Sequence, residues 1–219
     1  MISKCLRTIF VLVTATIVAA CATTPGHQLS LAEVQALSYT ETEVRIPESA
    51  RINWGRYQRE QNRIAEGKPL DGSTLESANK KRDGDANFAY TALFPSAEQH
   101  KDDMLVQPIK ESFKTSMDAL MAGDREVKGI VEVNAVVIIN AAQSLLVGGA
   151  NQINASFRLV DVGTNATLAT LPLTTVAQSK GSGELGLLLN ELGKRNKYER
   201  TASSYAATVS KWLEEKGEK

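Results

Sequence analysis

The chain has 219 residues, enough for one domain with an extension and for an independent hydrophobic core. Hydrophobic residues at 42% and charged residues at 23% argue against disorder of the whole chain, and aromatic residues at only 5% leave the core to Val, Ile, Leu and Ala. The 25 Lys and Arg balance the 25 Asp and Glu, so the chain lacks the basic surplus that nucleic-acid binding requires.

The first element reads as an export signal. Lys4 and Arg7 make a short basic start, and Ile9 to Ala20 is apolar apart from Thr14 and Thr16. Twelve residues are too few for a transmembrane helix, which needs about 20. The stretch ends in Val18-Ala19-Ala20-Cys21, which resembles the lipobox of bacterial lipoproteins. That resemblance implies cleavage before Cys21, lipid on its sulfur and a membrane tether; the alternatives are a plain secretory signal with an incidental cysteine, or an anchor that is never cut. Two or more acyl chains anchor stably where one is marginal, each buried CH₂ contributing about 0.8 kcal/mol. Ala22 is not the aspartate that marks inner-membrane retention in lipoprotein families, so the resemblance points to the outer membrane with the domain facing the periplasm. Cys5 leaves with residues 1–20, and the remaining Cys21 carries lipid, so neither a disulfide nor a thiolate metal site is expected.

Residues 21–36 are rich in small and polar types and read as a flexible tether, with a single domain over 37–219. Tyr39 to Ile46 alternates around Val44 and Ile46 and closes at Pro47, as a strand does. A polar excursion follows over about 48–103, broken by Gly67, Pro69, Gly72, Gly84 and Pro95; a short charged helix around Trp54 to Glu66 fits inside it, with Trp54 and Tyr57 placed to dock it. A helix is predicted from Pro108, with Ile109, Phe113, Met117, Leu120 and Met121 on one face and Gly123 as its stop. Val127 to Asn140 is a strand, alternating at Val131, Val133, Ala135, Val137 and Ile139 and apolar on both faces at Val136 to Ile139. The connection Ala141 to Ala150 holds Leu145, Leu146 and Val147 and is more apolar than a solvent loop. Strands at Gln152 to Asp161 and Thr167 to Val176 flank the turn Val162-Gly163-Thr164-Asn165, and Pro172 places the second at an edge or a bulge. Two C-terminal helical stripes close the chain, Leu185, Leu188, Leu189 and Leu192, then Tyr205, Val209, Trp212 and Leu213, with a polar interruption over Gly193 to Arg200. The expected fold is a two-layer α+β domain: a twisted antiparallel sheet of about four strands with helices mainly on one face.

The stretch VGGANQINASFRLVDVGTNATLATLPL (147–173) resembles a pattern of an uncharacterised bacterial outer-membrane lipoprotein family, in which a strand ends in Val-Asp, a short turn carries Thr-Asn and the next strand opens on Leu. Here those positions are Val160, Asp161, Thr164, Asn165 and Leu168. The element order also resembles the α/β domains of secretion-channel and lipopolysaccharide-assembly lipoproteins. Lipidation of Cys21 is the one residue role these resemblances imply.

Motifs that carry chemistry are sparse. Gly181-Ser182-Gly183-Glu184-Leu185-Gly186 fits G-x-G-x-x-G, but the acidic strand position about 20 residues on falls in a helical pattern, so a flexible turn is the better reading. Asp83, Asp85 and Asn87 open like a calcium loop, which Phe88 and Phe94 contradict at the glycine and glutamate positions. Only His27 and His100 supply imidazoles, and Asp102, Asp103, Glu126, Glu132 and Asp161 have no spacing that predicts convergence. The glycosylation-like Asn154-Ala155-Ser156 and Asn165-Ala166-Thr167 are incidental beside a bacterial lipobox.

No catalytic residue, cofactor or metal is therefore expected. The expectation is a non-catalytic envelope lipoprotein, an accessory or assembly factor that binds another envelope protein through Leu145, Leu146 and Val147. The alternative for those residues is burial under the C-terminal helices. The alternative function is a periplasmic carrier of a lipid or small apolar ligand.

Overall fold

A computed structural model describes residues 29–70, 94–139, 150–178 and 196–216. The first element is a five-residue helix, α1 (Leu31–Gln35), inside the segment expected to be a flexible tether. So short a helix needs help at its start, and Ser30 and Glu33 supply a reciprocal cap, each side chain bonding the other's backbone N–H. Val34, fully buried, pins it to the domain.

Strand β1 (Leu37–Arg45) follows directly, then β2 (Arg51–Trp54) and α2 (Gly55–Ala65). The polar excursion is therefore ordered at its start; its middle, 71–93, with Gly72, Gly84 and the Asp83-Asp85-Asn87 run, lies outside the described residues. Its end is α3 (Ala97–Lys101), capped by Ser96, whose hydroxyl accepts from the Gln99 N–H at 3.1 Å. One helical path then continues through a π turn (Asp102–Val106) into α4 (Gln107–Asp118). Pro108 was expected to start a helix, yet it sits inside this path. Its missing N–H and its ring would break an ordinary α turn at Met104, and the widened turn relieves both, with the Gln107 N–H reaching back five residues to the Asp102 carbonyl.

Ile109, Phe113 and Met117 of α4 are fully buried, the face expected from their spacing. Gly123 does not stop this helix, which ends at Asp118. Its lack of a side chain serves a backbone crossing instead: a Cβ there would overlap the Ala36 carbonyl, and the Gly123 N–H donates to Leu37 O at 2.8 Å.

The remaining elements are β3 (Arg125–Ile138), β4 (Asn151–Asp161), β5 (Thr167–Gln178) and α5 (Lys197–Lys216). Among the described residues the sheet is open and five-stranded, in the order β1-β3-β4-β5, with β2 also pairing β3. β1 lies along Arg125 to Glu132 and β2 along Ala135 to Ile138, so the two share one edge in line. Both run parallel to β3, while β3, β4 and β5 are mutually antiparallel. The α+β class holds; the sheet is mixed where an antiparallel one was expected. A helical crossover is what a parallel pair needs, and α4 supplies it between β1 and β3.

In β3 the inward set is Val127, Gly129, Val131 and Val133, and then Val136 and Ile138. The continuous alternation expected through Ala135, Val137 and Ile139 fails because Asn134 is an extra residue opposite β4, between the pairs Val133/Ala155 and Ala135/Asn154, and a bulge transfers the core face by one position. Val137 and Ile139 are half-buried on the other side. Pro172 lies both on the edge strand β5 and in an irregular stretch of it, between the pairs Ala155/Thr174 and Phe157/Leu171. α4 packs on β1, α5 packs on β4 and β5, and the two helices pack together. Between the layers Phe113 stacks on Phe157 at 5.4 Å and meets Tyr205 at 5.8 Å. The expected face Tyr205, Val209, Trp212 and Leu213 of α5 is buried. Of the polar stretch Gly193 to Arg200, residues 193–195 lie outside the described residues, while Asn196 and Glu199 cap the helix reciprocally.

Candidate functional site

The first two turns of α2 place Arg56, Tyr57 and Glu60 at spacings of three and four, so Tyr57 and Glu60 meet the same neighbour and Arg56 bonds Glu60. That neighbour is His100, from α3. Its ring lies flat on Tyr57, at 5.4 Å and 6°, and is only 3% exposed. Glu60, 4% exposed, accepts from Arg56 Nε at 2.8 Å through Oε1. Its other oxygen stands 3.4 Å from His100 Nε2, and among the described residues neither of these two buried atoms has a hydrogen bond. Burial pushes the His100 pKa below its ordinary value, against the opposing pull of Glu60 and Asp103.

The stack runs on inward. Tyr57 faces Trp54 at 6.3 Å and 17°, and Trp54 faces Tyr198 of α5 at 5.3 Å and 23°. The Tyr198 hydroxyl donates to the Leu105 carbonyl in the π turn at 2.7 Å, and complete burial raises its pKa far beyond the usual phenol range. Trp54 and Tyr57 thus dock α2 as their composition suggested. Four rings tie the arm formed by β2, α2 and α3 to the C-terminal helix. The arrangement holds elements together; a histidine this enclosed is closed off from a substrate.

The turn motif Val160, Asp161, Thr164, Asn165 and Leu168 also acquires a physical meaning. Asp161 Oδ1 accepts from both the backbone N–H and the hydroxyl of Thr164, each at 2.7 Å, and Oδ2 accepts from Arg125 Nε at 2.6 Å. Asn165 takes the left-handed conformation the reversal needs, at φ 57°. The Thr164 and Arg125 bonds hold the Asp161 pKa down to about 2. This carboxylate closes a turn. The others considered do not join it: Asp102 accepts from Gln107 Nε2 at 2.7 Å, Glu126 is exposed at the start of β3, and no group of three or more His, Cys, Asp or Glu that could hold a metal occurs among the described residues.

A cleft of about 390 Å³ opens between α4 and the start of α5, lined by Glu111, Lys114, Asp118 and Glu199 with Pro108 and Ser112. Its lining is charged, unlike a site for an apolar ligand, and the described interlayer space is filled by Phe113, Met117, Phe157 and Tyr205. Cys21, His27, Leu145, Leu146, Val147, the Gly181 to Gly186 motif and the leucine stripe Leu185 to Leu192 lie outside the described residues. Sequence reasoning did not single out the Glu60–His100 contact. Helical spacing brings Arg56, Tyr57 and Glu60 together, but nothing local links them to a histidine 40 positions on. Among the described residues no helix is long and apolar enough to cross a membrane.

No protein-family model matches the chain, and no curated protein matches it in sequence. Partial likenesses exist among solved structures. A Xanthomonas campestris protein of the DUF330 family shares 18% identity over 54% of this chain and 64% of its own, with a TM-score of 0.32; the chain thus spans less than two thirds of that protein. A candidate lipoprotein from Caulobacter crescentus shares 16% identity over 49% of this chain and 79% of its own, with a TM-score of 0.29. The PelC dodecamer of Paraburkholderia phytofirmans shares 12% identity over 87% of this chain and 93% of its own, with a TM-score of 0.33. At these values the overlaps are partial, and no role is carried over from them.

Proposed function

We propose that the chain is an outer-membrane lipoprotein, tethered through Cys21, that binds another envelope protein in the periplasm without catalysing a reaction. The observation that carries this reading is the N-terminal pattern: a basic start, twelve apolar-rich residues and Val18-Ala19-Ala20-Cys21. Two further features support it. α1 starts only ten positions after Cys21, a reach of at most about 35 Å, so the domain stays close to the lipid surface. The parallel register of β1 and β3 puts the chain's entry at one end of the sheet, while Ile138 and Asn151, the strand ends on either side of 140–149, lie at the other, about 45 Å away along β3. Leu145, Leu146 and Val147 thus belong to a connection whose flanking strands end on the side away from the proposed tether, which supports a partner role for them.

Metabolic labelling with a palmitate analogue tests the anchor. Wild type is expected to label and Cys21→Ala is not; equal labelling of both removes the reading. A photoreactive residue at Leu146 tests the partner: one discrete adduct in intact cells, missing when the same residue replaces exposed Thr170, is the expected result.

A further inference from the structure

The contact between His100 and Glu60 has no part in the reading above, and it is built unlike the rest of the interior. We propose that His100 is a proton-operated latch, whose protonation loosens α3 from α2 and undocks the arm in acid. The ring is stacked on Tyr57 and nearly sealed from solvent, which suits a neutral imidazole. The groups facing it are Tyr57, Arg56 and Glu60 of α2 and Asp103 of the π turn; Lys101, its neighbour on α3, donates to the Ile46 carbonyl at 3.2 Å. A proton on His100 would have Glu60 Oε2 as its nearby anion, but Oε1 of the same carboxylate is already bonded to Arg56, and the new charge would sit on a ring and beside a carboxylate that are both nearly sealed from water. Asp103 adds attraction from a second side, but burial is the larger effect, and the ring binds a proton more weakly in the docked arm than in solvent.

The sign of the response follows. A histidine whose folded pKa lies below its ordinary 6.5 contributes full stability above that value, and the contribution is lost as pH falls through the range beneath it. Undocking parts His100 from Tyr57 and opens the buried Glu60 carboxylate to water. The stack Tyr57-Trp54-Tyr198 is the next contact to yield, so one proton acts on the whole arm.

Hydrogen exchange of the full chain in detergent, between about pH 7.5 and pH 5, tests the latch. Opening of 55–65 and 97–106, taken relative to β3 and β4 at the same pH, is expected to rise as pH falls, by no more than about tenfold per pH unit because one proton is linked. His100→Gln is expected to flatten that dependence; a flat wild type, or a variant with the wild-type slope, overturns the proposal. A second measurement is independent of the variant's folding. The NMR titration of the His100 ring should fall below 6.5 and move lower still in Glu60→Gln, where an attracting anion is gone. A titration above 6.5, or no downward movement in Glu60→Gln, also overturns it.

Discussion

At Asp161 the bonds from Thr164 and Arg125 decide how the β4–β5 turn responds to acid. They bind the charged carboxylate, so its folded pKa, about 2, lies below the ordinary 3.8. The stability these bonds provide is complete above pH 3.8 and disappears as pH falls toward 2. Asp161→Asn keeps the shape but exchanges an accepting oxygen for a donating amide, which cannot serve both Arg125 and Thr164. Its melting temperature is expected to be lower than wild type at pH 7, with the gap closing between about pH 4 and pH 2; a gap of the same size at both ends would refute this account. Gly129 presents a steric case. A Cβ there would overlap the Tyr39 hydroxyl and come within 2.8 Å of Phe157 Cε2. Gly129→Ala should lower stability by about 1–3 kcal/mol, read from the urea midpoint. Tyr39→Phe removes the nearest obstructing atom, so the double variant should lose less than the sum of the two single changes.

At the scale of elements, the join between the π turn and α5 is the most exposed to a single change. Tyr198→Phe leaves the stack on Trp54 in place but removes the donor to Leu105 O. A loss of about 1–2 kcal/mol with an unchanged denaturant slope is expected, because one buried hydrogen bond is lost while the compactness of the two states is kept. An unchanged urea midpoint would show that the hydroxyl contributes nothing. What the sequence made legible follows the same boundary between local and distant causes. The periodicity of Ile109, Phe113 and Met117 and the alternation at Val131 and Val133 are local patterns, and these positions are buried as expected. The reset of β3 at Asn134, the passage of a helix through Pro108 and the role of Gly123 depend on what lies across from them: β4, a widened turn and the Ala36 backbone. α1 escaped notice because its five residues are held by Val34 and a two-residue cap rather than by an amphipathic repeat. The Glu60–His100 pair escaped for a related reason, since two segments far apart in sequence create it.

For the molecule as a whole, the direction of β1 settles at which end of the sheet the chain enters from α1. The sequence order of strand, helix, strand already contained the parallel pairing, yet the antiparallel hairpin of β4 and β5 dominated the pattern and suggested one sense throughout. With β1 and β3 parallel, β3 ends and β4 begins on the side of the sheet away from α1, and two accounts of Leu145, Leu146 and Val147 make opposite predictions. If the three side chains meet a partner, the free protein leaves them in water, and replacing Leu146 with Asp changes its stability by no more than about 0.5 kcal/mol while an adduct formed from a photoreactive residue placed at Leu145 vanishes. If they are covered by the protein's own helices, the same substitution buries a charge without a counterion, and the urea midpoint falls by an amount corresponding to several kcal/mol. The proposed function requires the first result. An unfolding midpoint that drops sharply in Leu146→Asp would take the partner surface away from this connection, and the polar face of the sheet, with half-buried Glu132 and Arg158, would be the next place to carry the photoreactive residue.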